Sequence, residues 1–261
     1  MRGPAALRRL EERRLERALR GRPRPAHVGL VMDGNRRWAR QAGFADPQIG
    51  HRYGAEHVTA VLGWCRELGI RQVTVFVAST DNLVRRDPEE VQHLMQRVED
   101  VVAEQLTRPA SPWRVHLAGR LDLLPDSTAH ALKHAADVTS GRATDSDVTI
   151  AIAYGGRDEI VDAVRSLLEE QARAGATARE LAGRITDADI AAHLYTAGRV
   201  DPDLVIRTSG EHRLSGFLLW QSTHSHLHFC DSFWPGFRRL DLLRALRAYA
   251  TRREHNENHC R

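Results

Sequence analysis

Cysteine is scarce in this sequence of 261 residues, and its three cysteines have no regular spacing. Cys65, Cys230 and Cys260 are odd in number and form no CxxC pair. Neither a disulfide framework nor a cysteine-based zinc site is therefore predicted. This pattern is typical of a reducing compartment, and we expect a cytoplasmic protein.

Long apolar runs are also absent. No segment approaches the roughly 20 apolar residues of a membrane-spanning helix, and residues 1–25 lack the apolar stretch of a signal peptide. We therefore expect no membrane span and no secretion.

Lysine is nearly missing, because Lys133 is the only lysine among 38 basic residues. Codon bias in a GC-rich genome accounts for much of this arginine content, but the planar guanidinium also binds phosphate in a bidentate manner. A formal net charge of +4 is compatible with nucleic acid, a membrane surface or a phosphorylated small molecule as partner. No GxxxxGK[ST] or GxGxxG motif and no interleaving of aromatic and basic residues occurs, which argues against P-loop, dinucleotide and nucleic-acid binding.

Apolar strand-like segments alternate with amphipathic helical segments along most of the chain. Strands are predicted at 27–32, 72–79, 113–119, 147–154 and 203–208, and helices at 54–69, 87–106, 126–140, 157–175, 187–196 and 241–254. This order predicts a layered α/β domain with a mostly parallel sheet. Residues 1–25 are predicted to form an N-terminal helical arm, either a peripheral packing helix or a docking element for a membrane or partner. Residues 26–261 are predicted to form one domain.

Polar segments follow four of the predicted strands, where ligands of open α/β sheets bind. They read DGNRRW, STDNLVRR, YGGRDE and RTSGEHRLS. Three of them place arginine beside glycine or small hydroxyl residues, a pattern that suits a diphosphate.

Asp33 stands alone among cations at the end of the first strand. Its carboxylate is either a turn cap or a ligand for Mg²⁺, which prefers oxygen ligands shared between protein and phosphate. Arg207 and Arg213 lie six residues apart with Thr208, Ser209 and Ser215 nearby, which suits a diphosphate better than a solvated basic loop.

Two further segments carry weaker signals. Ser79, Asn82, Arg85 and Arg86 could stabilise a leaving group by hydrogen bonds and charge, but a turn before a helix explains them equally well. His224, His226 and His228 alternate and would share one side of a strand. A half-buried edge strand is favoured over a zinc site, because no cysteine or carboxylate nearby completes a tetrahedral ligand set.

Taken in order, the motifs resemble those of the cis-prenyltransferases, the undecaprenyl diphosphate synthase-like family. The matching segments are HVGLVMDGNRRWAR, GHRYGAE, STDNLVRR, YGGRDEIVDA and DLVIRTSGEHRLSGFLLWQ followed by FWPGF. They extend from residue 27 to about residue 250, and short-chain actinobacterial members are the most similar.

The resemblance implies a homodimer whose six-stranded, mainly parallel sheet is flanked by helices. It also implies an apolar product tunnel and Mg²⁺-dependent condensation of an allylic diphosphate with isopentenyl diphosphate. Leu94, Met95, Val98 and Val102 are candidate tunnel walls.

The resemblance also implies roles for individual residues. Asp33 is expected to be the catalytic carboxylate and the metal ligand, with Ser79 and Asn82 near the reacting centre. The expected substrate-binding residues are Gly34, Asn35, Arg36, Arg37, Trp38, His51, Arg85, Arg207, Arg213, Ser215 and His226.

Three departures from the family pattern bear on the product. The segment FADPQIGH lacks an expected basic residue, and Leu83 replaces a tryptophan usual in long-chain members, so a short product is favoured. His226 stands where the family commonly has a glutamate that helps to hold Mg²⁺, and histidine is a poor ligand for this hard ion. An irregular, head-to-middle condensation of dimethylallyl diphosphate giving a lavandulyl-type product is therefore the alternative. A non-catalytic subunit of this fold is disfavoured, because Asp33, Arg207 and Arg213 are all present.

Overall fold

The structure, a computed structural model, describes the backbone of residues 4–259 and the side chains of residues 5–255. Within this range the chain forms a six-stranded sheet. The strands are β1 (His27–Val31), β2 (Gln72–Phe76), β3 (Trp113–Ala118), β4 (Ser146–Ala151), β5 (Leu204–Arg207) and β6 (His226–Phe229).

Helices connect most of these strands and cover the sheet. They are α1 (Pro4–Ala18), α2 (Asn35–Gln41), α3 (Ile49–Glu67), α4 (Thr80–Arg85), α5 (Pro88–Val101), α6 (Asp126–Ser140), α7 (Gly156–Arg173), α8 (Ala178–Ala182), α9 (Asp187–Ala191) and α10 (Arg239–His259). A π-helical turn at Val102–Leu106 and short 3₁₀ turns at Leu121–Leu123 and Trp234–Gly236 complete the set. None of the helices between residues 4 and 259 has the length and apolar character needed to cross a bilayer.

The sheet has the strand order β3-β4-β2-β1-β5-β6, and every neighbouring pair is parallel. All five residues of β1 are buried, because this strand lies inside the sheet with helices on both faces. The predicted layered α/β fold with a six-stranded, mainly parallel sheet is confirmed. All six strands therefore end at one edge, which collects the loops that follow them.

Some predicted boundaries differ from those observed. The predicted strand 147–154 ends at Ala151, since Ala153 has a positive φ of 46° that is incompatible with a strand. The predicted helix 87–106 consists of α5 followed by the π-helical turn, in which Thr107 N–H donates to the Val102 carbonyl at 3.1 Å.

The predicted arm at 1–25 contains α1, which packs along α10. Leu15 and Leu19 are buried in the core, Glu11 pairs with Arg244 at 2.7 Å and Glu16 pairs with Arg239. These contacts support the peripheral packing helix among the two interpretations of the arm. Residues 1–3 lie outside the described residues.

Helices α2 and α3 approach closely through a glycine. A Cβ atom on Gly50 would lie 2.1 Å from the backbone carbonyl oxygen of Asn35, which is far inside van der Waals contact. Only glycine allows this approach, and it places the start of α3 against the turn that follows β1.

Gly50→Ala should destabilise the fold by about 2 kcal/mol, because the added methyl group meets backbone that cannot rotate away. Gly63→Ala is the matched control, since it lies in the same helix with nothing within 4 Å of its Cβ position. We expect this control to stabilise the protein by about 1 kcal/mol. Urea unfolding of both variants measures the difference, and equal midpoints would contradict the close approach.

Candidate active site

A cavity of about 1170 Å³ lies at the carboxyl edge of the sheet and extends beneath α3 and α5. Its outer end is lined by polar side chains from the loops that follow β1, β2 and β5. Its inner end is apolar and is lined by Val58, Leu62, Val75, Leu94, Val98, Val102, Leu106, Val148 and Ile150. The cavity is thus suited to molecules with one strongly polar end and one apolar end.

Three of the four predicted tunnel walls contribute to this apolar end. Leu94, Val98 and Val102 line the cavity, whereas Met95 does not line it and packs into the core with 1% of its surface exposed. The tunnel itself stays a prediction, and the structure shows the apolar lining that it requires.

Asp33 lies at the polar end, held between two arginines. Its Oδ2 accepts a hydrogen bond from Arg207 Nη2 at 2.8 Å, and its Oδ1 accepts one from Arg37 Nη2 at 3.3 Å. Burial alone would raise the pKa of Asp33, but hydrogen bonds from Arg207 and Ser209 and the charges of Arg207 and Arg37 outweigh it and lower the pKa below its usual value. The carboxylate is therefore ionised at neutral pH.

The turn after Asp33 answers the question of whether this carboxylate is a helix cap. Gly34 is the N-cap of α2, with φ at 100°, and no side chain caps this helix. The Asp33 carboxylate therefore does not cap α2, and its oxygens face Arg207 and Arg37 instead. Asn35 donates from Nδ2 to the Met32 carbonyl at 3.2 Å, while its buried Oδ1 has no hydrogen-bond partner.

Arg207 is the most enclosed cation of the site, with 4% of its surface exposed. Its Nη1 donates to Ser215 Oγ at 2.7 Å and to the Arg213 carbonyl at 2.6 Å. These bonds fix the guanidinium between β1 and the loop that follows β5.

Glu211 links the remaining two arginines of this region. It lies 3.5 Å from Arg37 Nη1 and 2.5 Å from Arg213 Nη1. Arg37 also donates to Ser209 Oγ at 2.9 Å. Together with Asp33 and Arg207, these three charged residues form the first cluster of the site.

Ser79 and Asn82 line the cavity at the start of α4. Ser79 is the N-cap of this helix, and its Oγ accepts from the backbone N–H of Asn82 at 3.0 Å. This segment is therefore both a turn before a helix and part of the cavity lining. Ser79 caps α4, and both Ser79 and Asn82 line the cavity.

The structure distinguishes two neighbouring arginines that the sequence could not. Arg85, the predicted substrate ligand, borders the cavity but its side chain is 79% exposed and lies 3.9 Å from Asp81. Arg86 also lines the cavity, and its side chain is only 19% exposed. From the sequence both arginines were candidates, and the family resemblance selected Arg85. The sequence could not rank them, since α4 ends at Arg85 and the direction of the next side chain depends on packing.

Arg86 belongs to a second cluster with Arg36, His51 and Glu90. Glu90 accepts from Arg36 Nη1 at 3.2 Å and lies 3.5 Å from Arg86 Nη1 and 3.8 Å from His51 Nε2. Burial and the charges of Arg86 and Arg36 lower the pKa of His51 to about 4, so its ring is neutral at neutral pH. Two guanidiniums and a neutral imidazole thus occupy a second part of the polar end.

All predicted site residues line this cavity except Trp38 and His226. The Trp38 ring packs against Phe44 and Tyr53, with centroid distances of 5.8 and 5.1 Å. This aromatic contact between α2 and α3 directs Trp38 away from the polar end.

His226 is placed away from the site as well. It begins β6 and pairs with Leu204, whereas Phe229 pairs with Arg207 at the carboxyl edge. His226 is three residues before Phe229, which places it about 10 Å from the carboxyl edge of the sheet. Its ring lies near Tyr249 of α10, with ring centroids 6.5 Å apart. His226 therefore does not line the cavity, because parallel pairing puts the start of a strand far from the edge where the ligand loops lie, and its part in substrate binding stays a prediction.

Two metal sites were considered from the sequence, a zinc site at the alternating histidines and a Mg²⁺ site at Asp33. No group of three or more His, Cys, Asp or Glu side chains arranged to hold a metal ion occurs in the part of the chain that the structure describes. A zinc site formed by the alternating histidines therefore has no support. Asp33 fits Mg²⁺ as a partly exposed, ionised carboxylate, since this ion is commonly held by one or two carboxylates together with substrate phosphates.

Comparisons with known proteins agree with this geometry. The family described as putative undecaprenyl diphosphate synthase matches residues 31–257. An isoprenyl transferase of Streptomyces fradiae is 61% identical over 93% of this chain and 94% of that protein. A (2Z,6E)-farnesyl diphosphate synthase of Thermobifida fusca is 54% identical over 94% of both chains.

A solved structure extends the comparison to the fold. It is lavandulyl diphosphate synthase from Lavandula x intermedia in complex with dimethylallyl diphosphate. It is 30% identical, with a TM-score of 0.80, over 87% of this chain and 95% of that chain. With this fold, these motifs and these relatives, the chain belongs to the undecaprenyl diphosphate synthase-like family of prenyltransferases.

Proposed function

We propose that this prenyltransferase joins geranyl diphosphate, or the shorter dimethylallyl diphosphate, to one isopentenyl diphosphate and forms the new double bond in the Z configuration. The observation that carries the proposal is the presence of two clusters of cationic side chains on one cavity whose inner end is apolar. Two clusters match two diphosphates, and the apolar end matches one prenyl chain.

The relative named (2Z,6E)-farnesyl diphosphate synthase supports a short product. Its product name describes one Z double bond added to an E-configured geranyl unit. At 54% identity over 94% of both chains, it favours geranyl diphosphate as the allylic substrate here.

The second cluster is suited to the allylic diphosphate. Arg36 and Arg86 provide charge, His51 provides a neutral ring N–H, and the turn at Gly34 and Asn35 borders the same space. When the allylic C–O bond breaks, negative charge grows on the departing diphosphate, and fixed cations stabilise it without reorganisation.

The first cluster is suited to the diphosphate of isopentenyl diphosphate. Arg207 is held rigidly by Ser215, whereas Arg213 is 64% exposed and can turn towards a ligand. Such a pair combines a preformed contact with an adaptable one, and both guanidiniums can bind phosphate in a bidentate manner.

Asp33 belongs to the first cluster, and its charge also acts on Arg86 in the second cluster, where it partly offsets the lowering of the Arg86 pKa by burial. It is the residue we expect to hold Mg²⁺ together with diphosphate oxygens. Bound there, the ion would neutralise charge on the departing diphosphate.

The apolar end protects the reactive intermediate. Loss of diphosphate leaves an allylic cation that water would capture, and Leu94, Val98 and the other apolar lining residues exclude water from the prenyl chain. The double bond of isopentenyl diphosphate then attacks this cation, and the released diphosphate can accept the proton whose loss forms the new double bond.

The irregular condensation was suggested by His226, and this residue lies outside the cavity. The regular reaction is therefore our proposal. The irregular reaction of two allylic diphosphates is kept as an outcome of the experiment that follows.

We also propose a homodimer, as the resemblance to the family implies. Sedimentation velocity at micromolar concentration should give twice the chain mass of 29.4 kDa. A single species at the chain mass would contradict the dimer.

Incubation with Mg²⁺ and geranyl or dimethylallyl diphosphate, with and without isopentenyl diphosphate, tests the reaction. We expect a Z,E-configured C15 diphosphate from geranyl diphosphate only when isopentenyl diphosphate is present, identified by mass and by retention against a standard. Products from allylic diphosphates alone would establish the irregular reaction.

Asp33→Asn removes the charge but keeps the shape, and should lower kcat/KM on the order of 10³-fold.

Arg86→Ala should raise the KM for the allylic diphosphate by roughly tenfold or more, because it removes a cation of the second cluster whose side chain is only 19% exposed. Arg85→Ala is the matched control one residue earlier, and its exposed side chain should leave this KM within about twofold. A larger rise in this KM for Arg85→Ala than for Arg86→Ala would show that Arg85, and not Arg86, binds the allylic diphosphate.

A further inference from the structure

Glu90 is a buried carboxylate on which groups from three different segments converge. Its side chain is 10% exposed and lies on α5, behind the cavity wall. Arg36 comes from α2, His51 from α3 and Arg86 from the junction of α4 and α5. Glu90 therefore connects all the segments that supply the second cluster.

The contacts around Glu90 are close but incomplete. Oε2 accepts from Arg36 at 3.2 Å, whereas Oε1 lies 3.5 Å from Arg86 Nη1 and 3.8 Å from His51 Nε2. Those last three atoms are all buried and all lack a hydrogen-bond partner. Glu90 and Arg86 are therefore held together by opposite charge at 3.5 Å and not by a directional hydrogen bond.

Repulsion within the cluster explains why a carboxylate is needed. Burial lowers the pKa of Arg86, and the charge of Arg36 lowers it further, while the charge of Glu90 raises it. Without Glu90, two guanidiniums and a buried imidazole would face one another uncompensated and would move apart.

Glu90 does not line the cavity. Its oxygens contact one terminal nitrogen of each guanidinium and one ring nitrogen of His51, so it can orient these cavity-lining groups although it does not line the cavity itself. In metal sites, loss of a group that orients a ligand residue typically lowers affinity by about 10- to 100-fold, and we expect an effect of similar size here.

We propose that Glu90 is a positioning residue that holds Arg36, Arg86 and His51 in the arrangement that binds the allylic diphosphate. The inference rests on the proposed function, because it assigns the second cluster to that substrate. The competing description is that Glu90 occupies the cations until substrate arrives and so weakens binding. The two descriptions predict opposite changes of affinity.

Glu90→Gln removes the charge and keeps the shape. We expect the KM for geranyl diphosphate to rise on the order of tenfold, while kcat at saturation and the KM for isopentenyl diphosphate stay within about twofold. Glu89→Gln is the matched control, since Glu89 is the exposed neighbour on the same helix, and it should change neither constant. An unchanged or lowered KM for geranyl diphosphate in Glu90→Gln would overturn the proposal.

Calorimetric titration with geranyl diphosphate alone makes the test independent of turnover. The dissociation constant should rise in Glu90→Gln by the same factor as the KM. If the wild-type protein binds geranyl diphosphate but forms no product, the proposed reaction fails, and this titration still decides the role of Glu90.

The combination with Arg86→Ala separates positioning from a general loss of structure. If Glu90 acts through Arg86, the double variant should bind geranyl diphosphate more tightly than the product of the two single effects predicts. Fully multiplicative effects would overturn the proposal. Should Glu90→Gln fail to fold, Glu90→Asp keeps the charge and retracts it by one methylene, and an unchanged affinity in that variant would also overturn it.

Discussion

The ion pair between Asp33 and Arg207 joins the two strands on which the site depends. Val31 and Arg207 are partners in the parallel pairing of β1 with β5, so the residues that follow β1 meet the end of β5. The pair is 2.8 Å long and carries opposite charges at one edge of the sheet. Thr208 strengthens the same junction, since its Oγ1 accepts from the Asp33 backbone N–H at 2.9 Å. In the proposed reaction, substrate phosphates would meet a carboxylate and a guanidinium that the fold has already brought together.

The remainder of the site extends outwards from this pair. Arg37 and Glu211 enlarge the first cluster, and the close approach at Gly50 brings α3, and with it His51, to the second. Beneath both clusters the cavity becomes apolar, because α5 and the π-helical turn direct Leu94, Val102 and Leu106 towards the sheet. The diphosphate of a substrate would thus lie at the sheet edge, and its prenyl chain would lie in the apolar space between the helices and the sheet.

Much of this arrangement could be predicted from the sequence. The alternation of apolar strands and amphipathic helices predicted a parallel sheet, and a parallel sheet places the loops after its strands at one edge. Asp33, Ser79, Asn82 and Arg207 were all proposed from the sequence because they lie at or just after the ends of predicted strands. Each of them lines the cavity.

The sequence alone determined the family, the parallel sheet and the polar edge, because these depend on local periodicity and on the order of motifs. The tertiary structure alone decided which neighbouring side chains belong to the site. Arg85 and Arg86 have the same chemistry, and only the end of α4 determines that Arg86 is enclosed beside Glu90. His226 has suitable chemistry, but the register of β6 against β5 places it at the far end of the strand. The reason is physical: side-chain direction and strand register are set by packing between segments distant in sequence, and no local pattern encodes them.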